Sequence, residues 1–296
     1  PSIPNSCFYG CDSLREITIP NTVVKISKFA FYGCLSLEKI VIPSSVEKLK
    51  RSCFKKCGKL KEIIFPSSLE IIKKDSFGYC SSLKEITIPS TVKYIKKLTF
   101  EYCTSLKQVT INPYETIVKS SAFENSHLLK KLNIVTDKTS IKQFSMDPYP
   151  NVTIISIPNN VTIIKSRALK GCSSLQKVII PSSVIKIKKS SFEGCSSLKE
   201  INIPNFVQYI GDSAFCGCSS LVKITIPSSV SKIESSTFRD CTSLKHVSIP
   251  YSIVSIKEYS FFNCSSLEEI NIPSSIQYIG EAAFYGCTSL NINSIP

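Results

Sequence analysis

A period of 23 residues runs through this chain and limits what it can build. The stretch PSSVIKIKKSSFEGCSSLKEINIP, Pro181 to Pro204, is followed by PNFVQYIGDSAFCGCSSLVKITIP, in which the Pro, Phe, Cys, Leu and paired Ile all return 23 positions on. Self-similarity at a fixed short period marks architectures in which one unit cannot bury its apolar face alone and stacked neighbours must cover it. Cys recurs at Cys11, Cys34, Cys57, Cys80, Cys103, Cys172, Cys195, Cys218, Cys241, Cys264 and Cys287. Ser126 and Tyr149 fill the two missing places with no change in length. Phe stands three residues before these positions from Phe8 to Phe284, with Met146 and Leu169 as substitutes, and a Leu stands three after most of them.

Within a unit, I-x-I has a period of two, so Ile201 and Ile203 share one face and Glu200 and Asn202 the other, which predicts a short strand. The Pro that follows has no N–H to continue a ladder, and the Ser-Ser or Asn-Asn pair next to it is turn chemistry. V-x-x-I then returns apolar groups to the inside, and A/S-F-x-x-C-x-x-L closes the coil through a turn or a single helical turn. No segment leaves room for a full-length α-helix beside the strand.

The pattern L-x-x-I-x-I-P-x-x-V-x-x-I-x-x-x-A/S-F-x-x-C-x-x-L resembles the BspA-like leucine-rich repeat family over essentially the whole chain. The resemblance implies a β-rich repeat solenoid, a right-handed leucine-rich-repeat superhelix with a parallel sheet along one face and short turns elsewhere. It also implies a protein of the cell surface or secreted, engaged in attachment to host or microbial partners, with the cytoplasm as the alternative. The expected organisation is a single solenoid of about 13 coils over residues 1–296, with an irregular stretch at 112–157. The chain begins without an initiator Met and ends on a strand's Pro, Pro296, so it reads as an excised piece whose uncapped ends could stack end to end with another copy.

Fourteen cysteines raise the question of metal, redox or packing. The C-x-x-x-C pairs Cys7/Cys11 and Cys53/Cys57 and the C-x-C pair Cys216/Cys218 lack a second pair at zinc spacing, and the His residues are His127 and His246 alone. No metal and no cofactor is expected. The eleven cysteines in register read as small buried side chains forming a structural column. Equivalent positions in stacked coils project their Cβ atoms in parallel at about 4.8 Å, wider than the usual disulfide value of about 3.8 Å, so reduced thiols are expected. Cys7, Cys53 and Cys216 stand off the column and are the expected reactive ones. N-x-S/T sequons occur at Asn151, Asn160 and Asn263. No apolar run is long enough to span a membrane as a helix, so this piece is not expected to insert into one.

Function should then lie in the outward columns. Lys50, Lys73, Lys96, Lys119, Lys142, Lys165 and Lys188 are seven successive coils of lysine at one position, followed by Gly211, Glu234, Lys257 and Gly280. The adjoining column carries Lys28, Arg51, Lys74, Lys97 and Lys189 before turning acidic at Asp212, Glu258 and Glu281. The chain's net charge is +14, and residues 1–150 hold 23 of its 36 Lys and Arg. This reads either as a solvated basic ridge or as a strip that binds an acidic glycan or protein. Specific nucleic-acid readout is not expected, because no aromatic platform accompanies the ridge. In the irregular stretch, NPYET and DPYPN place Tyr114, Asp147 and Tyr149 near prolines as a candidate contact site, or as simple repeat drift. No catalytic constellation is present, with two distant His residues and no nucleophile or phosphate-loop motif. The expectation is a non-enzymatic recognition or adhesion module that binds a protein or glycan through the strand face and the lysine edge. An intracellular interaction scaffold or a passive spacer is the alternative.

Overall fold

The computed structural model describes residues 1–291, and Pro296 lies outside them. Those residues fall into two compact units, the first comprising 1–136 with 145–152, the second 137–144 with the chain from 153 onward. Each is a parallel-strand β-solenoid, and no helix occurs among the described residues.

In the first unit, six two-residue strands pair in parallel in chain order: Ser2–Ile3, Lys25–Ile26, Lys48–Leu49, Ile71–Ile72, Tyr94–Ile95 and Ile117–Val118. They are the V-x-x-I segments, which thus form a sheet of their own, with each residue opposite its equivalent 23 positions away, as in Lys48↔Ile71 and Leu49↔Ile72. The I-x-I segments form the other ladder: Lys39–Val41 pairs with Glu62–Ile64, and Glu85–Thr87, Gln108–Ile111 and Lys131–Ile134 pair in succession. The last two strands have four residues where Glu85–Thr87 has three. The cause is the loss of the Pro column at Asn112 and Val135: Val135 keeps an N–H and donates it to Ile111 O at 2.9 Å, a bond proline cannot make.

The second unit repeats the plan. Ser140–Ile141, Ile163–Ile164, Lys186–Ile187 and Tyr209–Ile210 pair in order, as do Lys232–Ile233, Ser255–Ile256 and Tyr278–Ile279. On the I-x-I face, Ile154–Ser156 pairs with Lys177–Ile179, and Lys223–Thr225 with His246–Ser248 and then Glu269–Ile270. The coil between these two groups contributes only a single bridge, Glu200↔Lys223.

The third side of each coil, expected to be a turn or one helical turn, is a turn with a defined cause. Left-handed residues flank the Phe two positions before and two after: Ser52 (φ 55) and Lys56 (φ 65) around Phe54, Asp75 (φ 59) and Tyr79 (φ 64) around Phe77. Two left-handed residues four apart break any helical run. The later position often carries Gly, Asn or Asp, which tolerate this conformation, as at Gly194, Asp240 and Asn263. The earlier one carries Ser, Ala or a larger residue, and strain at both positions is offset by hydrogen bonds between coils such as Ser52 N to Lys74 O (3.1 Å) at the earlier and Lys56 N to Gly78 O (2.8 Å) at the later.

This turn aims the Phe inward, and the rings stack coil upon coil. Centroids of Phe8, Phe31, Phe54, Phe77, Phe100 and Phe123 follow one another at 4.9 to 5.6 Å, and those of Phe192 to Phe284 in the second unit at 5.2 to 5.7 Å. Beside them runs the cysteine column, whose thiols donate to the carbonyl of the Phe one coil back: Cys57 Sγ to Phe31 O (3.2 Å), Cys103 Sγ to Phe77 O (3.3 Å), Cys218 Sγ to Phe192 O (3.2 Å). Ser126 preserves the bond through its hydroxyl, to Phe100 O at 2.8 Å, which explains why a serine stands in this column.

Candidate functional site

The lysine column of the first unit follows directly from the two-residue strands. The N–H of Lys50, Lys73, Lys96 and Lys119 donates to the carbonyls of Ile26, Leu49, Ile72 and Ile95 one coil back. On the other side, Ser76 Oγ donates to Lys73 O (2.6 Å) and Thr99 Oγ1 to Lys96 O (2.8 Å). The main chain is thus tied from both directions while the side chains leave outward. The next residue in each coil, Arg51, Lys74 or Lys97, together with Lys28, supplies a second basic column.

These two columns line one groove of about 490 Å³, whose eight lining residues are all Lys or Arg. Among the described residues, an ion pair reaches the groove only through Arg51, whose Nε lies 3.8 Å from the buried Asp75 carboxylate; that carboxylate is held more closely by Lys55, at 3.2 Å. Burial and the positive charges of Lys25, Lys73, Lys48 and Lys28 hold the Lys50 ammonium below the usual lysine range. The Lys96 ammonium sits over the Tyr94 ring at 4.8 Å.

Elsewhere several charges of neighbouring coils pair with one another. On the strand face and its flank, Lys39 pairs with Glu62 (2.9 Å), Lys61 with Glu38 (2.8 Å) and, in the second unit, Lys177 with Glu200 (3.5 Å) and Lys245 with Glu268 (2.9 Å), while beside the two-residue strands Lys93 pairs with Glu70 (2.9 Å). Around the interrupted coil at Glu200, the strand face of the second unit opens into a cavity of about 440 Å³ bordered by Lys177, Asn202 and Lys223.

Four of the seven column lysines therefore line the groove. Lys142, Lys165 and Lys188 belong to the second unit, where Lys142 and Lys165 are exposed and Lys188 lies over Tyr209 at 5.3 Å. Lys28, Arg51, Lys74 and Lys97 complete the lining, and the signal for them is the same period read one position later.

Three expectations are corrected. Cys53 is fully buried, and burial pushes its thiol up to about 12, so it is not a reactive cysteine. Its column is that of Ala30, Ser76, Thr99 and Ala122, small residues that pack inward beside the Phe. Cys11 is exposed, and Cys287 is half-buried. Tyr149 is 2% exposed and joins the aromatic stack 5.6 Å from Phe123, so it offers no contact surface. Met146, at the Phe position, leaves the slot that Tyr149 fills from the Cys position. Its buried hydroxyl has no hydrogen-bond partner, and burial raises the phenol. Of the other two residues there, Asp147 is exposed and Tyr114 half-buried, its N–H donating to Asn112 Oδ1 at 3.1 Å. Cys7 is exposed and Cys216 half-buried, with its thiol raised first by burial. Among the described residues, no cluster of His, Cys, Asp and Glu could hold a metal, and no helix is long and apolar enough to cross a membrane.

The profile of the BspA type leucine rich repeat region matches residues 1–113, 70–198 and 162–291, in six copies. The chain belongs to this BspA-type family. No curated protein matches it. Several solved structures are similar to this BspA-type chain. A leucine rich cell surface protein from Faecalibacterium prausnitzii A2-165 is 28% identical over 92% of this chain and 76% of its own, with a TM-score of 0.40. A leucine-rich repeat protein from Bacteroides ovatus ATCC 8483 is 29% identical over 97% of this chain and 80% of its own, with a TM-score of 0.41. Another from Eubacterium ventriosum ATCC 27560 is 21% identical over 100% and 89%, with a TM-score of 0.43.

Proposed function

We propose that this BspA-type chain is a non-enzymatic recognition module that holds an anionic partner, an acidic protein surface or an acidic glycan, through the basic groove of its first unit. The strand faces supply a second, mixed-charge contact surface, and attachment at the cell surface is the role that the family resemblance adds. The observation that carries the reading is the contrast between surfaces. Lys39, Lys61 and Lys93 are each paired with a glutamate of a neighbouring coil, whereas the groove gathers eight cations against one buried carboxylate. Like charges one coil apart repel by roughly 0.8 kcal/mol per pair in bulk water, a cost that an anionic ligand relieves.

Affinity for polyanions measured in low and high salt tests this. The wild-type chain should bind and release with salt, because screening weakens contacts between exposed charges. Lys73→Glu with Lys96→Glu should lower affinity by at least about tenfold, a little over 1 kcal/mol. Unchanged binding by the double variant would remove the groove from the function.

A further inference from the structure

We propose that the groove of the first unit takes a linear sulfated polysaccharide laid along the coil axis, its sulfate groups reaching the lysine column on one side and the adjoining basic column on the other. This rests on the reading that the groove binds anions and goes further by naming the class.

The first argument is hydrogen-bond polarity. Lys and Arg side chains donate and accept nothing, and every residue lining the groove is one or the other. The ligand groups that meet these charged ends must therefore supply acceptors, as sulfate esters do. A peptide main chain or a nucleobase edge brings N–H donors, and no lining side chain would receive them.

The second argument is the arrangement in two rows. Lys50, Lys73, Lys96 and Lys119 form one row, and Lys28, Arg51, Lys74 and Lys97 the other. A ribbon that displays anions along both edges satisfies both rows at once. A single nucleic-acid strand carries phosphate on one edge and bases on the other, and its bases need an aromatic platform that the lining does not include.

The third argument is spacing. The stacked Phe rings of these coils lie 4.9 to 5.6 Å apart, so the cationic rungs repeat at about the strand spacing of 4.8 Å. An extended acidic peptide repeats on one face every two residues, about 6.7 Å, and falls out of step within three rungs. Sulfates carried on flexible sugar substituents are not bound to that repeat.

Calorimetric titration at one fixed salt concentration separates these classes, with heparin, fully desulfated heparin, poly-glutamate, inorganic polyphosphate and single-stranded DNA as probes. Heparin should bind at least about tenfold more tightly than each of the others. The Lys73→Glu/Lys96→Glu variant should lose that affinity, while Lys59→Glu/Lys84→Glu, the same charge change at exposed lysines outside the groove, should keep it; circular dichroism checks that both variants fold. If poly-glutamate, polyphosphate, DNA or desulfated heparin binds as tightly as heparin and is lost with Lys73 and Lys96, the sulfated-glycan assignment is overturned while the anion-binding reading stands. If no polyanion binds, or if the Lys59/Lys84 variant loses as much as the groove variant, both fall.

Discussion

At the scale of the residue, the cysteine column shows how far a repeat can be read and where reading stops. Its inward direction is legible because a polar or charged residue never enters it except as Ser126, and that serine makes the same bond to the carbonyl one coil back. Cys53 stands off that column yet is buried, because its own column is one of small inward residues, as Ala30 and Thr99 at the same position mark. Tyr149 escapes for another reason: when the Phe and Cys positions of one coil both change, register alone does not say which side chain fills the slot. The burial of these thiols predicts the alkaline behaviour of the protein. Cys53, Cys103 and Cys218 are raised from 9.0 to about 12 by burial. The folded state keeps its protons where the unfolded chain has lost them. The contribution is full below pH 9 and is lost as pH climbs from there to about 12, each thiol removing roughly 1 kcal/mol per pH unit. Denaturant midpoints measured across that window should fall steeply, and Cys103→Ser should make the fall shallower while costing little at pH 7. A flat profile above pH 9 would refute the assignment. Alkylation of the native protein at mildly alkaline pH should modify Cys7 and Cys11 and spare Cys53.

At the scale of the element, the I-x-I strand and its terminating Pro are legible from a period of two and a missing N–H, and the structure adds that the ladder lengthens wherever the Pro is lost. The V-x-x-I segment hides its strand, because two residues are too few to show alternation. The corner around the Phe hides its geometry because Ser52 or Leu98 does not announce a positive φ as Gly33 does. Where the lysine column gives way to glycine, the reason is again local and steric. A Cβ on Gly211 would stand 2.7 Å from Lys189 N and 3.0 Å from Lys188 C, and one on Gly280 would meet Glu258 N. The main chains approach more closely there than a side chain allows. Gly211→Ala should therefore destabilise the second unit by about 1 to 3 kcal/mol, the usual cost of forcing extra atoms into a packed site, read from the denaturant midpoint. Alanine at Gly58, where the nearest atom to a Cβ is Ser81 Oγ at 3.8 Å, should cost much less.

At the scale of the whole molecule, the same stacking that builds the core multiplies whatever a column carries outward, so a lysine repeated by duplication becomes a field. The net charge of +14 and the crowding of Lys and Arg into the first half were visible in the sequence. That the two columns converge on one groove was not, because it depends on the direction in which consecutive side chains leave the coil. The groove sets stability against function. Its neighbouring cations repel by roughly 0.8 kcal/mol per pair before screening, and Lys50 already shows the effect in its lowered pKa, after the contribution of burial. Lys73→Glu/Lys96→Glu places two carboxylates between Lys50 and Lys119, turning two of the three repulsive neighbour pairs along these four positions into attractive ones, and should raise the melting temperature at low salt even as it abolishes polyanion binding. The gain should shrink as ionic strength rises, because exposed charges more than about 10 Å apart are largely screened at 0.1 M salt and nearer ones progressively so. Paired thermal melts of wild type and variant along a salt series measure it. A variant that melts lower than wild type at low salt would mean that the aliphatic stems of these lysines, packed against the edges of the coils, matter more to the fold than the repulsion between their charged ends.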